Sequence, residues 1–164
     1  MAATTSGTAT VTLPADNQIL ITREFNAPRH LVWKAYTTAE LVKRWWAGQR
    51  GSVTSAEIDL RVGGKWRYVM EAGGGFEVAF HGEFREIDAP GRLVNTEVFE
   101  GIPDPEAHAG LVTMSLTEKD GRTWLEMLCE YNDKADRDAV IASGMEGGMQ
   151  ESMDQLEIVA ASLS

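Results

Sequence analysis

Residues 62–84 read VGGKWRYVMEAGGGFEVAFHGEF. Val62-Gly63-Gly64 and the turn from Ala72 to Gly75 bracket a run in which Trp66, Tyr68 and Met70 recur at every second position. The same period returns in Phe76, Val78, Phe80, Gly82 and Phe84. Side chains two apart on a strand share a face, whereas a helix needs spacings of three and four, so both runs read as strands. Turns this short join antiparallel neighbours, because a parallel pair requires a crossover of about a dozen residues or more. The stretch is therefore a meander with one apolar face.

Working outward, Val53 to Val62 alternates in the same way ahead of the first turn. After Pro90-Gly91 comes a strand from Leu93 to Glu100, then a longer loop from Gly101 to Gly110 rich in proline and acid. Val112, Met114 and Leu116 alternate, Lys119-Asp120-Gly121 turns the chain, and Leu125, Met127, Cys129 and Tyr131 mark the last strand. Upstream, Ile19, Ile21, Arg23 and Phe25 form a first strand. Asn26-Ala27-Pro28 reads as a cap with proline in the first helical turn, ahead of an apolar stripe of Leu31, Val32, Ala35 and Tyr36. A second short helix starts at Thr38, carries Leu41, Val42, Trp45 and Trp46, and stops at Gly48.

The end of the chain is helical. Lys134 to Ala142 forms one short helix, and Ser143-Gly144 breaks it. From Met145, the residues Met145, Met149, Leu156, Val159 and Leu163 share one side, with Glu146, Glu151, Asp154 and Glu157 read as the side facing water. About 18 residues at ~1.5 Å each make a rod of roughly 27 Å, long enough to cross a sheet. Met1 to Asn17 has no hydrophobic period and reads as a tail, mobile at least to Thr8. The expected organisation is a tail over 1–17 and a single α+β domain over 18–164.

At 164 residues and 43% hydrophobic, one core suffices without disulfides or structural metal. No apolar run approaches the ~20 residues of a membrane helix, and no signal peptide is recognisable. The single cysteine, Cys129, fits a reducing compartment, so a cytoplasmic location and no membrane association are expected. The net charge of −10 is uneven: residues 1–99 carry 11 acids and 11 bases, and residues 100–164 carry 14 acids and 4 bases. Such a surface repels phosphate backbones, which argues against nucleic acid as a partner.

His30, His81 and His108 sit on different elements with no metal-ligand spacing, so no metal site is expected. Gly63-Gly64-Lys65 runs into a strand rather than a helix, and no strand leads directly into Gly144-Met145-Glu146-Gly147-Gly148, so neither is a phosphate or dinucleotide loop. No cofactor is called for. His81 and Glu83 share a strand face and would suit acid–base work, but alternation places both opposite Phe80 and Phe84, on the outer face. The five tryptophans exceed what packing needs, and tryptophan suits a pocket wall with one polar handle. Met70, Met114, Met127, Met145 and Met149 all project from apolar faces, where methionine adapts to varied apolar ligands.

Several motifs resemble a known family. Arg23-Glu24-Phe25-Asn26-Ala27-Pro28 with Val32-Trp33-Lys34-Ala35-Tyr36-Thr37 is similar to the opening of the SRPBCC (START-like, helix-grip) superfamily. Arg44-Trp45-Trp46, the run from Asp59 to Arg67, and the run from Gly144 to Ser152 ahead of Leu156 resemble its branch named for the activator of Hsp90 ATPase. The resemblance implies a seven-stranded antiparallel sheet gripping the C-terminal helix, with a hydrophobic cavity between them. The function expected is binding of a hydrophobic or aromatic small molecule there, with Trp46, Trp66, Tyr68, Met70, Val78, Phe80, Met114, Met127, Met145 and Met149 as wall. A cyclase- or isomerase-type enzyme using the same cavity, and a chaperone partner protein, are the alternatives. Catalytic residues are not identifiable in the sequence, and neither is the oligomeric state.

Overall fold

The computed structural model describes residues 8–163. Eight strands form one antiparallel sheet in the order β1-β2-β8-β7-β6-β5-β4-β3. They are β1 (Thr10–Thr12), β2 (Gln18–Phe25), β3 (Gly51–Ile58), β4 (Lys65–Ala72), β5 (Phe76–Asp88), β6 (Arg92–Phe99), β7 (Gly110–Lys119) and β8 (Arg122–Glu130). Helices α1 (Arg29–Thr37) and α2 (Ala39–Trp45) connect β2 to β3. After β8 come α3 (Lys134–Ala142) and α4 (Met145–Ser162). The meander expected from the short turns is present, and only the β2–β8 pairing joins strands distant in sequence. The C-terminal helix lies over the sheet's apolar face beside α1 and α2.

Four local differences have physical causes. The sheet gains an eighth strand because residues 10–12, read as tail, pair with β2. Ala9 is buried there, and the Gln150 amide both accepts from its N–H at 3.0 Å and donates to its carbonyl at 2.7 Å. The mobility expected up to Thr8 falls, apart from Thr8 itself, on residues 1–7, outside the described residues. Strand β3 ends at Ile58 rather than running to Val62. The Asp59 N–H closes the hairpin on the Lys65 carbonyl, and Leu60 and Val62 stand exposed in the turn. Asn26 caps nothing: Pro28 occupies the N-cap of α1, and the Asn26 Oδ1 accepts from Arg122 instead.

The fourth difference is the most consequential. Glu157, read as facing water, is 2% exposed. Its partner is Arg23, which alternation correctly puts on the inner face of β2 and which is 1% exposed. Arg23 Nη1 donates to Asp154 Oδ1 at 2.6 Å, and Nη2 lies 3.7 Å from Glu157 Oε2. The guanidinium carbon also stands 5.1 Å from the centre of the Phe25 ring, within cation–π range. A helix position that looks solvated on a wheel is thus buried by the charge opposite it. Glu151 is likewise no free surface group. It accepts from the Gln49 N–H at 3.1 Å, and α4 passes so close to Gly48 that a Cβ there would meet Glu151 Cβ at 2.8 Å. Gly48 also has φ +61, a conformation other residues adopt only with strain.

Breaking one side of a buried ion pair leaves an uncompensated charge, at a cost of about 3–5 kcal/mol, whereas replacing both sides with apolar groups is often close to neutral. Glu157→Leu leaves Arg23 with Asp154 alone, so it should destabilise the protein by less than that full amount, on the order of 2 kcal/mol. Combining it with Arg23→Met should recover most of the loss. Urea denaturation of the three proteins checks this, and a double variant as unstable as the single one would refute it.

Candidate functional site

The inner face of the sheet and helix α4 meet only along part of their length. Toward its C-terminal end α4 buries Met153, Leu156, Val159 and Ala160. Its N-terminal turns, from Met145 to Met149, stay partly exposed and stand off from β4 and β5. The space between is a cavity of about 880 Å³. Trp66, Tyr68, Met70, Val78 and Phe80 supply the sheet wall, with Met127 from β8. Trp46, at the end of α2, meets Tyr68 and Phe80 edge-on with centroids 5.4 and 5.5 Å away. Met145 and Met149 close the helix side. Met114 is the exception among the expected wall residues: it is fully buried and faces the core, paired with Leu93 and Met127 across the ladder.

The rim is made by residues 101–109, which contain a single 3-10 turn (Pro105–His108), and by α3. Its Ile102 and Pro103 overhang the cavity. Three polar contacts hold this segment. His108 Nδ1 lies 2.8 Å from Asp136 Oδ1, Asn132 Nδ2 donates to the Ala107 carbonyl at 2.7 Å, and Glu106 Oε1 lies 2.5 Å from His81 Nε2. His81 therefore acts from the outer face, as alternation requires. It pairs not with Glu83 but with Glu106 and with Glu100, whose Oε2 is 2.7 Å from Nδ1. Partial burial lowers the imidazole pKa, but the two carboxylates outweigh it and leave the value raised. Glu83 is taken by Lys65 at 2.5 Å. The shallow polar depression around these groups, about 500 Å³, is laced with ion pairs.

One group in the main cavity stands apart. On β6, Leu93, Asn95, Glu97 and Phe99 share the face that lines the cavity. The Glu97 side chain has no hydrogen bond or ion pair among the described residues, and burial pushes its carboxyl up to about 7. The Tyr68 phenol and the Cys129 thiol are raised first by burial and then by the Glu97 charge, Cys129 to about 12, and the Tyr36 phenol by burial, then by Tyr68 and Glu97. The sequence held a signal for Glu97, since it has the same parity as Leu93 and Phe99. An acid at that parity gives no hint by itself that the face leads into a cavity.

Comparison with known proteins fits this geometry. A family model for "Activator of Hsp90 ATPase homolog 1-like protein" matches residues 26–161. The chain belongs to that family. A search of curated proteins gives no match. Among solved structures, a protein from Rhodobacter sphaeroides is similar at 25% identity and a TM-score of 0.85, over 94% of this chain and 99% of that one. One from Arthrobacter aurescens reaches 25% and 0.82, over 93% and 91%. An AHSA1-like protein from Aeromonas hydrophila, at 23% and 0.63 over 88% and 93%, shares the fold. Within the Activator of Hsp90 ATPase homolog 1-like family, then, this chain has an apolar cavity with one unpaired carboxyl on its wall.

A carboxyl whose pKa is raised on folding binds more protons folded than unfolded between about 4.5 and 7. Stability contributed by this group is therefore full below that window and lost as pH rises through it. Glu97→Gln removes the effect. The variant should gain on the wild type as pH rises from 4.5 to 7.5, by an order of 2–3 kcal/mol at most, because cavity water offsets part of the burial. Thermal melts across that range giving a constant difference would show that Glu97 is solvated like a surface acid.

Proposed function

We propose that this protein binds a hydrophobic or aromatic small molecule between the sheet and α4. The observation carrying the reading is the cavity of about 880 Å³ with aromatic and methionine walls. Ligand sites are typically concave, mostly apolar and ~300–1,000 Å³ in size. Five methionines on the wall, Met70, Met127, Met145, Met149 and Met153, let it reshape around ligands of different outline. A cytoplasmic location fits the buried free cysteine, and no described helix is long and apolar enough to cross a membrane. A second reading, a cyclase- or isomerase-type enzyme, is favoured by one observation: Glu97 lies on the cavity wall with a pKa of about 7, suited to proton transfer near neutrality. Chaperone partnership draws on the family description alone.

The test is a titration with a neutral environment-sensitive dye such as prodan. Wild type should bind it with a blue shift in emission. Met127→Trp, which fills the cavity, should weaken binding by at least about tenfold, or ~1.4 kcal/mol. Glu83→Gln, on the outer face, should leave affinity unchanged. Equal affinities in all three proteins would place the dye elsewhere and reject the cavity as the binding site.

A further inference from the structure

The surroundings of Glu97 are built, not incidental. His81 opposes Val98 and Phe84 opposes Asn95 across β5 and β6, so Gly82 stands opposite Glu97. On the other side its partner on β7 is Gly110. A glycine in a strand marks a place where another group approaches the backbone closely. Beside Gly82 the groups are the Thr96 carbonyl and the Trp66 indole, and beside Gly110 the Tyr131 ring. A Cβ on Gly82 would meet the Trp66 indole nitrogen at 2.5 Å, and one on Gly110 would meet Tyr131 Cε1 at 2.8 Å. Trp66 is fixed there by its Nε1–H donating to the Thr96 carbonyl at 3.1 Å. Glu97 thus shares the cavity wall with an indole and a phenol that reach over the glycines on either side of it.

The chemistry this frame lacks is a cation. Arg50 and His108 both reach the rim, but Arg50 lies 3.6 Å from Glu151 and His108 lies 2.8 Å from Asp136. The other ionisable groups facing Glu97 are Tyr36, Tyr68, Tyr131 and Cys129, all raised by burial and so neutral at physiological pH. A carboxylate with no positive partner is costly in an apolar cavity, and aromatic rings attract cations. The segment from residue 100 onward adds a net charge of −10, which favours the approach of positive ligands over negative ones.

We propose that the cavity is selective for ligands with an apolar body and one protonated amine, with Glu97 as counter-ion and Trp66 and Tyr131 flanking the ammonium group. This deepens the small-molecule reading and rests on it. The amine supplies the missing charge, the rings the cation–π contact, and the methionine end accepts the apolar body.

The probes are 2-(1-naphthyl)ethylamine and its neutral isostere 2-(1-naphthyl)ethanol, titrated by calorimetry at pH 8. Wild type should bind the amine at least about tenfold more tightly than the alcohol, the scale of a charge-assisted contact in an apolar site. In Glu97→Gln the two affinities should converge while that for the alcohol is kept. Should that variant misfold, a pH series decides: the amine-to-alcohol ratio of wild type should rise severalfold from pH 5.5 to 8, and equally so in a His108→Gln background, which removes the imidazole on the rim. Equal binding of both probes by wild type, a preference kept in Glu97→Gln, or a ratio flat with pH would overturn the proposal while leaving apolar binding intact. A preference for the alcohol would return Glu97 to the role of a neutral acid. Binding of neither probe would overturn the small-molecule reading itself, and this proposal with it.

Discussion

An arginine without exposed surface fixes how the last helix sits on the sheet. Arg23 reaches from β2 to Asp154 at the helix surface and to the buried Glu157. Charge in a low-dielectric interior tolerates little displacement, so the pair sets both the rotation of α4 and its depth at that end. Around this point the helix packs closely, with Leu156, Val159 and Ala160 buried. The contact between Gly48 and Glu151 holds the helix from the side of α2. A straight rod pinned at one end against a twisted sheet parts from it at the other. That divergence is the cavity.

Seen this way, the cavity walls divide by origin. The sheet wall follows from strand alternation, which brings Trp66, Tyr68, Val78 and Phe80 to one face at fixed spacing. The helix wall is adaptable, because Met145 and Met149 lie on the part of α4 that the ion pair does not hold down. The rim is held differently again, by polar contacts of exposed or half-exposed groups such as His81–Glu106 and His108–Asp136. Contacts of that kind contribute little each, so the rim is the part of the structure that opens at least cost. A rigid sheet, a deformable helix side and a weakly tethered rim suit a site that must admit a ligand and close over it.

How much of this was legible beforehand depended on the range of the interaction involved. The strands from β4 to β8, both short helices and the break at Ser143-Gly144 follow from periodicity and turn chemistry, which are local. Nine of the ten expected wall residues line the cavity; parity decides the face of the six on strands, and the others, Trp46, Met145 and Met149, come from the end of α2 and from α4. Met114 fails although its parity is right: it is fully buried in the core, whereas Val112, two residues earlier on β7, reaches the cavity, and where along a strand the cavity ends is not written in that strand. Strand β1 was missed because Thr-Val-Thr carries no core face of its own and is held by pairing with β2 and by Gln150, both remote in sequence.

The sequence by itself determined the family, the antiparallel meander and the apolar identity of the wall, because each rests on residues spaced two, three or four apart. It could not decide which acids face water. Glu157 and Glu97 look like ordinary surface carboxylates in a chain with 25 of them. One is buried by an arginine 134 positions earlier, and the other stands between two glycines whose neighbouring strands bring aromatic rings beside it. Burial and the partner of a charge are properties of what the fold brings near, so only the tertiary structure turned one of these acids into a clamp and left the other unpaired in the cavity.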